Sequence, residues 1–512
     1  MVHHPIDASI PDAAPVGPLV AARGGACGGR GAAICEAEQS CLRDLPGGYC
    51  ASRCGLDGIA CGDGATCVST PRAGDVCARA CTTDADCRAD EGYTCDPVWH
   101  ACAVPGFAAI VPKRCPGIGK DARITRDPMF AAPEIADAGD ALYARAPAAV
   151  VTSTGSVVTL AVVGSGLGGN DKITAGGITV GGGDTPVGQP ALARSGEALF
   201  GAWRSGGERP QIALAVSRDR GATWSAPAEI DEPSDCGPTD ASCPERPRLA
   251  ASARALYLAY SSDAIGTRVR ASRDGGATWS APTTALTGAR GDVATSADGR
   301  LHVIAMTGGT GGAYGAAQHV IEYTVSADGG RTFTRAVPVS ARDELVPAYF
   351  ANPTLAIDDR RGWLYVAYAR GGSDAAWAIV VAASKDKGKT WTRTHVADDG
   401  CALAMVPNLA VDGATGTLHV TWYDTRGPRP ARFAHATCGP GATRCTDRGA
   451  VDAGDFDGLD AGRLDARWVG DAEALVIDDR RHVLHALWSE AMLVGDHPVM
   501  RVVHATAKLP VR

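Results

Sequence analysis

The sequence predicts an all-β fold: a six- or seven-bladed β-propeller built on repeated turns, preceded by a small disulfide-rich module. Three observations predict it. An eight-residue pattern, Ser217-Arg-Asp219-Arg-Gly221-Ala-Thr223-Trp224, returns at Ser272, Ser326 and Ser384, at steps of 55, 54 and 58 residues. A motif at such a period marks a repeat architecture, because a single unit cannot bury its apolar face alone. Apolar runs of strand length flank each copy, in a chain with 64 Gly and 31 Pro, the punctuation of many short strands. Finally, 13 of the 18 cysteines lie between Cys27 and Cys115, the density of a disulfide framework.

Composition excludes some classes. A net charge of −8 and an isoelectric point near 5.9 argue against a nucleic-acid binder, which needs a basic face. No run of 18 apolar residues occurs, so no transmembrane helix is expected. The first 17 residues carry His, Asp and Pro where a signal peptide has its apolar core. The cysteines imply an exported protein, its signal or a lipid anchor lying outside this chain. A zinc domain is the alternative for a reducing compartment, but the spacings form no paired CxxC knuckles.

In chain order, residues 1–26 read as a disordered Pro/Ala-rich tether. Residues 27–115 are the cysteine-rich module, whose Cys81…Cys87…Cys95…Cys102 piece loosely resembles EGF-like secreted modules. Asp84, Asp86 and Asp90 there read as turn acids or calcium ligands. Residues 116–146 read as a connector, and 147–512 as the repeats. Several repeats open on Pro and an apolar strand: Pro190-Ala-Leu-Ala, Pro247-Arg-Leu-Ala, Pro353-Thr-Leu-Ala, Pro407-Asn-Leu-Ala. A second strand, a variable loop, a third strand, the eight-residue turn and a short fourth strand complete a propeller blade. Thr437 to Thr443 is a degenerate turn, in which a Cys438–Cys445 bridge replaces Asp and Trp. Cys236 and Cys243 are likewise close enough to staple a loop. By parity, Cys401 is left for a module cysteine such as Cys115. Residues 147–185, with a decayed turn at Thr179 to Thr185, are either a seventh blade or the closing strand of a six-bladed ring.

The turn has a physical reading. The Asp carboxylate accepts backbone N–H groups, Gly takes φ > 0, Thr closes the turn, and Trp or Phe anchors it. The pattern S-x-D-x-G-x-T-W resembles the Asp-box, or BNR repeat, of sialidase-like β-propellers. That resemblance gives Asp219, Asp274, Asp328 and Asp386 a structural role, on the face away from any active site. The opposite face then carries Arg204, Arg246, Arg370, Tyr423, Asp424, Arg426 and Glu490, with Trp203, Tyr368, Trp422 and Trp488. Aromatic faces stack on sugars, Arg forks bind carboxylates, and acids transfer protons. The implied function is binding of a glycan or a cell-surface protein through that face. The alternative is an exo-sialidase-like glycoside hydrolase acting on an anionic sugar. The family's Arg-Ile-Pro motif is missing: Gln189-Pro190 and Arg246-Pro247 stand at the corresponding sites. No cofactor is required. Asp452, Asp455, Asp457 and Asp460 suit calcium, as several oxygens within nine residues fit a hard cation. A monomer is expected. No G-x-S-x-G, HExxH or P-loop occurs.

Overall fold

The computed structural model describes most of residues 20–109 and 126–510. Outside the description lie, among others, 1–19, 53–60, 110–125, 165–170, 183–187, 207–209, 231–242, 308–318, 347–351, 372–376, 398–403, 425–431 and 452–472. The chain divides into two compact units, Met1–Val111 and Pro112–Arg512.

The first unit is built on hairpins: Ser40–Leu42 with Tyr49–Ala51, Ala65–Thr70 with Gly74–Arg79, and Thr94–Asp96 with Ala101–Ala103. Cys41 faces Cys50, and Cys95 faces Cys102, across their hairpins. Each bonds instead to an earlier cysteine: Cys27–Cys41, Cys35–Cys50, Cys81–Cys95 and Cys87–Cys102, with Cys61–Cys77 in the middle hairpin. The first and third hairpins are thus four-cysteine knots with interleaved bridges. Each bridge closes a loop of 14 to 16 residues, worth about 3 kcal/mol in the chain-entropy account. The core is small, Tyr49, Val68, Val76 and Tyr93 at its centre, so the bridges supply what burial cannot. Asp86 Oδ2 accepts the Thr82 and Thr83 amides and Asp84 Oδ1 accepts the Cys95 amide, so both act as turn acids.

The second unit is a seven-bladed β-propeller. Blade I is Tyr143–Val151, Val157–Gly164, Lys172–Ala175 and Ile178–Gly182. Blades II to VI span Ala191–Ile230, Glu245–Leu286, Ala289–Pro338, Thr354–Ala397 and Ala404–Ala450, each four antiparallel strands in sequence order. Blade VII has Ala474–Asp478, Val483–Val494 and His497–Lys508, and takes Glu134–Ile135 as its outer strand. The stretch 147–185 is therefore a full blade and not a closing strand. Its outer hairpin turns at Gly176-Gly177, and Thr179 lies inside a strand. Closure comes instead from 126–136, which pairs along blades VI and VII.

First strands line the centre, and several enter through the same bulge. Register shifts fall at Arg145/Ala148, Glu245/Arg248, Ala289/Asp292 and Met405/Asn408. Ala146, Arg246, Arg290 and Val406 take φ of 51–57° there. Blades pack through large side chains at their seams: Trp203 against Leu160, Val162 and Ile173, and Trp422 against Ile379 and Val381. Each repeat turn presents the glycine at its fifth position to the preceding blade. A Cβ on Gly388 would stand 2.1 Å from the Tyr323 ring.

Candidate functional site

The four repeat turns share one hydrogen-bond pattern. The buried Ser272 hydroxyl donates to Asp274 Oδ1 (2.8 Å) and accepts the Gly276 amide (2.8 Å). Asp274 Oδ1 also accepts the Thr278 amide, and Oδ2 accepts the Thr278 hydroxyl. The same bonds recur around Asp219, Asp328 and Asp386. The threonine hydroxyl above all, then the threonine amide and serine, hold Asp219 and Asp274 at about 2. Asp386, led by the same hydroxyl, is also at about 2, and Asp328 is held well below the usual range. With both oxygens engaged, these carboxylates brace turns. In the degenerate turn of blade VI a Cys438–Cys445 disulfide stands in their place. Cys243 is disulfide-bonded, while Cys236 and Cys401 lie outside the described residues.

Second strands run to the opposite face, where most of the remaining candidates sit. The second strand of blade VI ends Trp422-Tyr423-Asp424, and that of blade VII carries Trp488-Ser489-Glu490. Residues two apart share a strand face, and each indole Nε1 donates to the following carboxylate: Asp424 Oδ2 at 3.2 Å and Glu490 Oε2 at 2.9 Å. Tyr423 points across the seam. Its hydroxyl donates to the Ser489 carbonyl and accepts the Ser489 amide, both at 3.1 Å. Burial first, then the nearby Glu473 and Glu490, push the Tyr423 phenol well above its ordinary value. Tyr368 donates to Glu344 Oε2 at 2.7 Å.

These contacts correct the expectation of aromatic faces open to a ligand. Trp203, Trp422, Trp488, Tyr368 and Tyr423 are at most 2% exposed; they fill blade seams, and Trp488 stacks on Phe433. The arginines are spread over separate blades. Arg204 and Arg370 lie at or near second-strand ends in blades II and V, and Arg246 stands in the blade III bulge, 3.8 Å from Glu245. Arg426 and the acidic run Asp452, Asp455, Asp457 and Asp460 fall outside the described residues. Among the described residues, the only groups with metal-ligand spacing are sulfurs of the first unit, Cys27 with Cys35 and Cys50, and Cys81 with Cys87 and Cys102. All six belong to disulfides.

Three further polar features escape the sequence reading. Glu473 immediately precedes the first strand of blade VII, its backbone carbonyl accepting Asn408 Nδ2 at 2.8 Å. Neither carboxyl oxygen has a well-formed hydrogen bond. Burial drives it well above the carboxylate range, and the nearby Thr421 hydroxyl offsets only part of this. The signal was present: Glu473-Ala-Leu-Val-Ile-Asp478 matches Pro353-Thr-Leu-Ala-Ile-Asp358, with Glu in place of Pro. At the centre, Arg248 and Asp292 pair at 3.8 Å, and Asp292 also accepts the Leu355 amide. These contacts tie blades III, IV and V.

The third feature is a buried chain on blade VI. Asp127 Oδ2 meets His435 Nδ1 at 2.6 Å, and His435 Nε2 meets His419 Nδ1 at 3.2 Å. Burial pushes the Asp127 carboxyl up, but the His435 and Met129 hydrogen bonds outweigh it and hold it below its ordinary value. An ionised Asp127 accepts, so His435 Nδ1–H donates, and its Nε2 accepts from His419. Burial lowers both rings, His419 to about 3. Blade VII repeats the arrangement with His485, His504 and Glu134 (3.0 and 3.6 Å). Asp127 and Glu134 both come from 126–136, which lies along these two blades.

The class is thus defined: a seven-bladed β-propeller with a separate disulfide-rich unit, in which no helix is long and apolar enough to cross a membrane among the described residues. The chain matches no protein-family model and no curated protein. Among solved structures it is similar to a Dyadobacter fermentans protein of unknown function, at 13% identity and TM-score 0.45, covering 76% of this chain and all of that one. Trypanosoma rangeli sialidase matches at 13% identity and TM-score 0.38, over 76% of this chain. The match spans only 59% of the sialidase's own length. A Fusarium graminearum α-L-arabinofuranosidase matches at 15% identity and TM-score 0.41, over 63% of this chain and 93% of that one.

Proposed function

We propose that this chain is an exported Asp-box propeller that binds a glycan or a cell-surface partner through the face opposite its repeat turns, as a binding protein. One observation carries the preference for binding over hydrolysis. Tyr423, the tyrosine among the candidate site residues, spends both its proton and a lone pair on Ser489 and is buried. Asp424 and Glu490, the candidate acids, each accept an indole N–H. Export is supported by the disulfides of the first unit, which persist in oxidising compartments. A lipid anchor, a monomeric state and calcium at Asp452 to Asp460 belong to the same reading.

The second reading is a glycoside hydrolase, favoured by Glu473. Burial raises its carboxyl above the ordinary carboxylate range, the direction a general acid requires. Fluorogenic glycosides, a sialoside included, incubated with the intact protein with and without calcium separate the two. No turnover, together with retention on one member of a glycan array that is lost in Asp424→Asn, is the expected result. Turnover abolished by Glu473→Gln in a folded variant would reverse the assignment.

A further inference from the structure

We propose that the repeat-turn face of blades II to VI is a second docking surface, for an acidic polysaccharide. The pattern S-x-D-x-G-x-T-[WF] leaves three free positions per copy, twelve in the four copies. Seven are basic, Arg218, Arg220, Arg273, Arg331 and the three lysines Lys385, Lys387 and Lys389, and none is acidic. The chain as a whole carries a net charge of −8, so this segregation runs against its composition. All seven side chains are exposed.

The turn itself does not ask for these cations, and at two positions it is worse for them. Gly275 and Gly329 take φ of 71° and 77°, the left-handed region where a side chain is disfavoured. The equivalent residues of the other copies are Arg220 and Lys387, at φ 62° and 64°. Where a strained residue must stand, Asn or Asp is the usual substitute for Gly. A long cation there gives up backbone ease for charge.

The turns form a continuous arc. In an antiparallel blade every third-to-fourth-strand turn emerges at one end, and cations reach from one blade to the next. Arg273 Nη2 lies 3.7 Å from the Cβ position of Gly329, and Lys385 lies beside Gly441 in the turn of blade VI. Three cations are partly engaged: Arg220 with Glu197 at 3.5 Å, Arg331 with the Asp328 carbonyl, and Lys385, whose ammonium lies 4.8 Å from the centre of the Trp363 ring. The turn carboxylates are already filled by hydroxyl and amide donors, so they do not bind the neighbouring cations in place of a ligand.

The chemistry favours a chain of carboxylated or sulfated sugars. The large hydrophobics exposed among the described residues are Val20, Ile34, Ile135 and Ile178; none lies in these turns to enter a bilayer. The turn rings pack inward, Trp391 at 8% exposure and Trp224, Trp279 and Phe333 against blade cores. They offer no platform for stacked bases.

The test is retention of the intact protein on immobilised alginate, a polyuronate, against neutral dextran, as salt is raised. The expected result is alginate-selective binding that weakens steadily with salt, as counterion release requires. Arg220→Gly with Lys387→Gly and Lys389→Ala should weaken it roughly tenfold or more. The two glycine changes also relieve φ > 0, so the variant should melt no lower than the parent, which separates lost binding from lost folding. Asp424→Asn, on the opposite face, should leave alginate binding unchanged. Undiminished binding by the triple variant, or loss in Asp424→Asn, would overturn the proposal. So would equally tight binding of duplex DNA or of phosphatidylglycerol vesicles, because the surface would then read only charge or another class of partner.

Discussion

Ser272 shows how much of this molecule rests on single hydroxyls. It is 1% exposed, donates to Asp274 and accepts the Gly276 amide. Ser272→Ala leaves the Gly276 amide without its acceptor beneath the turn, while the exposed Asp274 carboxylate can turn to water. A loss of about 1–3 kcal/mol is expected, read as a lower urea midpoint at unchanged slope. The aspartates carry a pH signature of the same bonds. Their folded pKa is depressed to about 2 for Asp219, Asp274 and Asp386, below the ordinary value near 3.8. Their contribution is complete above pH 4 and is lost as pH falls toward 2. Asp274→Asn should flatten that part of the acid unfolding curve, since the amide no longer titrates. An unchanged curve would mean that the turn bonds are not what depresses the group.

Turns, strands and the closing segment 126–136 differ in how plainly the sequence announces them. The repeat turn is legible because all its partners lie within eight residues, and the blades because each repeats an apolar first strand. The closing segment is not. Glu134–Ile135 is two residues long, too short for periodicity, and Asp127 meets His435 across 308 positions. For the aromatics near the second-strand ends, the sequence indicates the strand but not the surroundings. Alternation says which residues share a face, not that Ser489, 66 residues on, will occupy the Tyr423 hydroxyl. Two substitutions test these elements. Asp127→Ala removes the acceptor of a fully buried imidazole N–H, and about 1–3 kcal/mol should be lost. Pairing it with His435→Ala in a double-mutant cycle should show coupling, where independent sites would add. Gly388→Ala combines φ of 84° with a clash against Tyr323 and should cost about 1–3 kcal/mol or more, well above an alanine at an open glycine such as Gly196.

For the whole molecule, the buried histidines set the acid limit before the turn aspartates do. His419 is held at about 3, and His302 and His485 at about 4, burial being the first cause in each. The charges facing them are few: His435, Asp412 and Asp127 around His419, Asp298 and Arg300 around His302, and His504, Asp478 and Arg481 around His485. Unfolded, a histidine takes a proton near 6.5, so a folded value below that favours the unfolded chain in acid. The stability these rings contribute is complete above pH 6.5 and declines as pH falls toward their folded values. At pH 5 each ring kept neutral costs the folded state about 2 kcal/mol, against a whole-domain margin of about 5–15 kcal/mol. The propeller should therefore lose stability as pH falls from 6.5 to 4, with the turn aspartates acting below that. Chemical unfolding at a series of pH values, with the disulfides intact, measures this directly. His302→Gln keeps a hydrogen-bonding side chain between Ser296 and Tyr323 while removing the titration. It should lower stability at pH 7.5 but narrow the gap to wild type as pH drops to 5. A gap that stays constant across that range would show that the ring is not held neutral by the fold.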